Sequence, residues 1–542
     1  METRPVSLIP VQSSTSSETN VSRFAFPADS SHVSSIVALI VLAVLIGIGV
    51  FFRINLWKAG QTFWSDEAFL LLNMRAFDLH RVLTGPLNTV ESTQAGPPIF
   101  LATIKLLFDR VGVNEPMMRL PTMVMSIAAL PLAAWVGWRA LGRVGAIGLV
   151  ALFAFSDRLI LHANVTKQYS WDCLISLGMI GLCLLAARRP TAQGGRWILV
   201  IGAVGALLMW ASHPLVFLLA PISLGLLYQF RRETGFLGRW TIANAMLAAS
   251  FSLLYLFNIS VQRDPFLNGF WLENGGFPHS YQPVPLLLWI ADVCTDVLAY
   301  PIRPFSLGLL LPMIIGVVAI WRRQQWAVFG ALVAPLLLVM LAGLTRVYPF
   351  QGTRLIIFLI PLMFLLSIYG AEALRVEWKQ GLLRWSGWIP LVAIVVAGFV
   401  LSIHHAGSPR FEDQLWPALK QLGEEQPAIP VVTQEPNDNA IVKLYRPNWK
   451  TISAWPRNGQ PLPDSSHYLL ITSSRVVTKN GKQEYRLYGK HPLDRPGYTT
   501  RYDWSILTES GAVIGYEKLP AVAATETVSK TVSVDPPFGL QK

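Results

Sequence analysis

Residues 36–52, Ile36 to Phe52, read IVALIVLAVLIGIGVFF and contain no charged side chain. A helix rises 1.5 Å per residue, so a run of this length with a few flanking residues crosses a hydrocarbon core of about 30 Å. No small-x-small cleavage signal follows Phe52, which makes the run a signal-anchor. The Ser- and Thr-rich residues 1–34 before it read as a disordered cytoplasmic N-terminus.

The same pattern recurs along the chain. Apolar intervals near 120–138, 144–161, 171–187, 197–212, 214–230, 240–258, 304–321, 326–343, 354–372 and 386–403 join 35–52 to make about eleven spans. With 52% hydrophobic and only 14% charged residues in 542, the composition excludes a soluble globular class. The expected fold is an α-helical polytopic membrane protein.

Lys and Arg exceed Asp and Glu by 44 to 32, yet the basic residues form no groove-like run for nucleic acid. They cluster at Arg139/Arg143, Arg188/Arg189/Arg196, Arg231/Arg232/Arg239, Arg322/Arg323 and Arg375/Lys379/Arg384, each between apolar intervals. The positive-inside rule makes these turns cytoplasmic. The loops 53–118, 162–170, 259–303 and 344–353 and the chain from 404 then lie outside. Cys173, Cys183 and Cys294 sit in apolar stretches without disulfide or metal-ligand spacing and read as small core residues.

Two apolar pieces are too short and too polar to count as spans. Pro97–Phe108 runs into Asp109 and Arg110, and Leu286–Leu298 carries Asp292 and Asp296. Both are predicted to lie along the interface. The transmembrane region is thus 35–403. Beyond it, Val431-Val432, Tyr468–Ile471 and Ala512–Tyr516 predict short strands of a small extracytoplasmic α/β domain at 404–520, before a disordered end at 521–542.

The chemistry concentrates outside. Trp64-Ser65-Asp66-Glu67-Ala68 is followed by Phe69-Leu70-Leu71-Leu72, a pattern for a helix lying on the membrane with two carboxylates at its N-terminal end. Ser65 or Asp66 as a plain N-cap accounts for the same residues. A carboxylate at the interface could instead deprotonate an acceptor hydroxyl beside a lipid-linked sugar. Further along come Gly96-Pro97-Pro98, Glu115-Pro116-Met117-Met118-Arg119-Leu120-Pro121, Lys167-Gln168-Tyr169-Ser170 and Tyr348-Pro349-Phe350-Gln351-Gly352-Thr353-Arg354.

In this order, over about 36–372, the motifs resemble the protein O-mannosyltransferase and aminoarabinose transferase group of C-type glycosyltransferases. The resemblance implies transfer of a sugar from a polyprenyl-phosphate donor with inversion. Asp66 matches the family's catalytic base, and Glu67 would orient the acceptor or a bound cation. A departing phosphate needs cations, for which Arg354, Lys167 and Arg119 are the candidates. At a span end each could equally snorkel to the interface. Tyr169, His213 and Tyr348 are candidate substrate contacts, the two tyrosines also fitting an aromatic belt.

Two departures from the family stand out. Gln94-Ala95-Gly96 replaces the Lys that many members carry before the paired prolines, and Ser212-His213-Pro214 replaces a Lys-Gly junction. His162, His213 and His279 show no zinc spacing, so no cofactor is expected, a divalent cation being the one candidate. Expected partners are the polyprenyl-phosphate sugar, membrane lipid and a glycan, lipid or protein acceptor, in a bacterial inner membrane. A transporter or lipid flippase, and an inactive glycan-binding or structural protein of the same fold, are the rival classes. Asn164-Val165-Thr166 and Asn258-Ile259-Ser260 fit the glycosylation sequon.

Overall fold

A computed structural model describes residues 34–89, 93–188, 191–377 and 385–406, with 419, 427, 430–433, 436–453 and the strands named below in the tail. The predicted disordered ends, and Arg189, Lys379 and Arg384, lie outside the described residues.

The helices in chain order are α1 Ser35–Lys58, α2 Ser65–Ala76, α3 Leu79–Thr84, α4 Pro98–Val111, α5 Glu115–Phe155, α6 Asp157–His162, α7 Tyr169–Ala187, α8 Thr191–Leu208 and α9 Val216–Phe230. They continue with α10 Phe236–Leu254, α11 Pro265–Glu273, α12 Pro283–Ala299, α13 Leu310–Arg322, α14 Trp326–Leu332, α15 Ala334–Leu344, α16 Ile360–Glu377 and α17 Trp388–His404. Each of the eleven predicted intervals falls on one of these helices or its 3-10 or π extension.

Among the described residues eight helices are long and apolar enough to cross a membrane, or nine if the bent pair α14 and α15, which meet at 45°, is one span. The difference from eleven has local causes. The intervals 120–138 and 144–161 merge in α5, which breaks at Gly142 with φ of 77°, a left-handed geometry that glycine adopts at no steric cost. The helices at 195–208 and 388–404 are shorter than a full crossing. Pro283–Ile302, predicted as interfacial, has the length and hydropathy of a span.

Its neighbours nevertheless hold that segment at one end of the bundle. Trp289 donates to the Gly275 carbonyl at 2.9 Å, its ring faces Gly343, and Asp296 packs against Gly352. Ser156 reaches the Pro301 carbonyl at 2.8 Å, and Tyr300 pairs with His162 at 2.9 Å. Gly275, Gly352 and Ser156 lie in connections between helices, and Gly343 and His162 in the last turns of α15 and α6, at the end that carries Asp66.

The arginine turns gather at the other end. Arg188 bonds the Arg139 and Ala140 carbonyls, Gln229 bridges Ala187 and Ala327, and Arg323 faces Glu377 at 3.7 Å.

The centre is α16, buried from Ile360 to Ala373. Gly370 sits against the Pro312 carbonyl and the Gly316 backbone, so α13 and α16 cross backbone to backbone, as small residues allow in lipid. The outer helices show the opposite pattern, with Ile36, Leu39, Ile40, Leu288, Leu311, Ile389 and Val396 exposed. So much contiguous apolar surface is stable only when lipid covers it. The chain is an integral membrane protein.

In the tail, β1 Val431–Thr433, β2 Thr451–Ser453, β3 His467–Thr472, β6 Thr499–Thr508 and β7 Gly511–Leu519 form one sheet in the order β2-β1-β3-β7-β6. β4 Arg475–Lys479 and β5 Lys482–Arg486 form a separate hairpin. β1 pairs in parallel with β2 and β3, while β3, β7 and β6 run antiparallel, so the sheet is mixed. Helix α18, Pro436–Tyr445, connects β1 to β2 and packs across α2.

Candidate active site

Helix α2 begins as the carboxylate pattern predicted, but its N-cap is Trp64, so neither Ser65 nor Asp66 serves as the cap. Ala68–Met74 are all buried, and α2 is sandwiched by protein, including α18, instead of resting on lipid. Its first turn points two carboxylates in different directions.

Glu67 is fully buried and already engaged. Arg119 binds it in bidentate fashion, Nε to Oε1 at 3.0 Å and an Nη to Oε2 at 2.6 Å. The same carboxylate accepts the amides of Thr166 at 2.6 Å and Trp64 at 3.3 Å. Arg119 spends further donors on the Gln61 and Thr62 carbonyls, and its guanidinium lies 5.2 Å from the Phe63 ring. A charge this deep is tolerated only because nearly every donor and acceptor is met. The Glu67–Arg119 pair therefore ties the loop before α2, the head of α5 and the loop before α7 into one unit.

Asp66 faces the opposite way and remains partly open. Its carboxylate pairs with Arg354, the side chains keeping 20% and 28% of their surface exposed. Arg354 heads the 3-10 turn Arg354–Leu359 that leads into α16, and its guanidinium stacks 5.0 Å from the Trp64 ring. Tyr169 and Tyr300 lie within its electrostatic reach.

Lys167 completes the cluster. It is buried, donates Nζ to the Gln94 side chain, and interacts with Asp66 and Arg354. Burial first, and then the Arg354 charge, push its ammonium down to about 8 against the attraction of Asp66 and Glu67. Because Glu67 accepts the neighbouring Thr166 amide, the buried pair also positions Lys167.

Tyr169 is buried, its ring 5.2 Å from His162, and it belongs to this cluster. Tyr348 donates to the Leu355 carbonyl at 2.8 Å and packs on Phe217 and Phe358. Neither tyrosine sits in a lipid-facing belt. His213 stands apart from the Asp66–Arg354 pair, beside Asn258. Asn164 and Asn258 are buried and bond backbone carbonyls, so neither sequon side chain is presented for modification.

Sequence reading marked Gln94 only as a departure from the family and passed over Tyr445 and Asp172. Gln94 touches Lys167, and Tyr445 reaches from the tail to the Phe63 amide before α2; no local pattern announces either contact. Asp172, one turn into α7, is buried beside Ser212 and Tyr348. A carboxylate inside an apolar run was the available signal for it. Among the described residues no three His, Cys, Asp or Glu side chains converge as a metal-ligand set.

No family model matches the chain, and no curated protein does. Among solved structures the fold is similar to ArnT from Cupriavidus metallidurans in the apo state, with 10% identity, TM-score 0.48, and 89% of this chain and 98% of that chain covered. ArnT from the same organism bound to undecaprenyl phosphate gives 12% identity, TM-score 0.45 and the same coverage. The apo oligosaccharyltransferase of Archaeoglobus fulgidus gives 12% identity and TM-score 0.48 over 78% of this chain and 65% of that one. Likeness at this distance leaves the reaction to be argued from the site itself.

Proposed function

We propose that the protein is a membrane glycosyltransferase that moves a sugar from a polyprenyl-phosphate donor to an acceptor, inverting the anomeric carbon. The observation that carries this reading is the partly open Asp66 carboxylate, held beside the cations Arg354 and Lys167 at one end of a lipid-embedded bundle. Asp66 takes the proton of the acceptor hydroxyl as its oxygen bonds the anomeric carbon. The bond from that carbon to the phosphate oxygen breaks, and the lipid phosphate leaves with the electron pair.

Arg354 offers further N–H donors to that phosphate beyond the one on Asp66, and Lys167 adds a second positive charge. Lys167 thereby serves in space where the chain has Gln94 in place of the family's lysine. Glu67 and Arg119 hold the site together and do not meet substrate. Tyr169 borders the sugar, while Tyr348 and His213 lie at the periphery. The arginine-rich end is cytoplasmic, with the N-terminus, and the Asp66 end and tail domain face outward from a bacterial inner membrane. The tail is placed to help select the acceptor.

Purified protein given radiolabelled polyprenyl-phosphate sugars and candidate acceptors tests the reading. Transfer that disappears in Asp66→Asn, with folding retained, is the expected result. Full turnover in that variant removes Asp66 as the base, and binding without transfer in the unaltered protein makes it a glycan-binding protein instead.

A further inference from the structure

The tail helix α18 packs on α2 and reaches the segment before it through Tyr445. Tyr445, the last residue of α18, accepts the Phe63 amide at 3.0 Å and donates to Glu115 Oε1 at 2.7 Å. Its ring stacks on Phe63, 6.2 Å between centroids. Burial first, and then the Glu115 carboxylate, hold the phenol well above the usual tyrosine range, so its proton stays available to Glu115. Phe63 immediately precedes Trp64, the N-cap of α2, whose ring faces Arg354. Glu115 opens α5, one turn before Arg119. At the other end of α2, Arg75 donates to the Lys443 and Leu444 carbonyls, at 3.0 and 2.8 Å, and neutralises the C-terminal end of α18.

From these contacts we infer that Tyr445 is a positioning residue: its hydroxyl clamps the backbone before α2 to the head of α5 and so sets where Asp66 stands relative to Arg354. The inference rests on the glycosyltransferase reading above. It makes the tail domain part of the catalytic architecture instead of an appended module.

Tyr445→Phe in the full chain keeps the stacked ring and removes both hydrogen bonds. Asn439→Ala is the comparison, since it breaks a buried bond with Thr451 inside the tail and leaves the clamp intact. The first readout needs no substrate. Hydrogen exchange of the Phe63 amide is expected to quicken about tenfold in Tyr445→Phe and not in Asn439→Ala. The second uses whichever polyprenyl-phosphate sugar the unaltered protein consumes: kcat falls about tenfold in Tyr445→Phe with the donor KM unchanged, because a misplaced base slows the chemical step without loosening the phosphate.

Unchanged exchange at Phe63, an unchanged kcat, or an equal loss in Asn439→Ala overturns the clamp. If the unaltered protein turns over no donor, the glycosyltransferase reading fails, and the exchange readout still decides whether Tyr445 sets the loop.

Discussion

The Asp66 carboxylate and the Arg354 guanidinium form an ion pair that is neither buried nor free, although one belongs to the first turn of α2 and the other to the 3-10 turn before α16. Its neighbour Glu67 has the opposite fate, sealed against Arg119. Adjacent carboxylates in one helical turn thus divide into a partly open group and a sealed one. The division rests on direction, since consecutive helical residues point about 100° apart.

For the open member, Asp66→Asn keeps shape and, on the proposed mechanism, removes the base. Loss of general-base assistance costs about 10²- to 10⁴-fold in rate. Sugar transfer should fall by that range while the thermal midpoint in detergent stays close to that of the unaltered protein, measured by radiolabel transfer and calorimetry.

For the sealed member the ranking reverses. Glu67→Gln strands a buried Arg119 and is expected to cost about 3–5 kcal/mol of stability. Unfolding in detergent measures it, and combining Glu67→Gln with Arg119→Met should recover part of the loss. Single and double variants of equal stability would show that the pair does not hold the loop.

Arg354→Lys preserves charge but loses the planar fork and the stack on Trp64. Donor KM should rise about tenfold for a weakened phosphate contact, and more in Arg354→Gln. Steady-state kinetics against donor concentration separates this from a change in kcat.

Lys167 brings a pH dependence. Its ammonium, lowered from 10.5 to about 8, is charged below that value and neutral above it, so kcat/KM for the donor should fall as pH rises through about 8. Lys167→Arg stays charged and should flatten that limb. Stability moves the other way: between pH 8 and 10.5 the unfolded chain binds more protons than the folded one, so this group's contribution makes the fold more stable as pH rises. A kcat/KM profile with no limb near 8 would remove Lys167 from donor binding.

Sidedness has its own check. His80→Cys, at the Asp66 end, and Gln324→Cys, among the arginine turns, should react with a membrane-impermeant thiol reagent from opposite faces of oriented vesicles. Cys294→Ala removes the partly exposed native thiol beforehand. Labelling of both from one face would break the proposed topology.

Periodicity and hydropathy sufficed for the helical bundle, because lipid demands long apolar helices whose backbone bonds are satisfied internally, and that demand is written locally. The Trp64–Ala68 motif marked the carboxylates for the same reason: a helix start is a local event. Which carboxylate stays accessible was not local. The family resemblance matched Asp66 to the base and gave Glu67 an accessory role, but only packing shows that Glu67 is sealed against Arg119 while Asp66 stays partly open beside Arg354. The Lys167–Gln94 contact and the Tyr445 clamp likewise depend on segments far apart in the chain. Their energies come from burial and pairing, which no window of sequence contains, so the tertiary structure alone decided them.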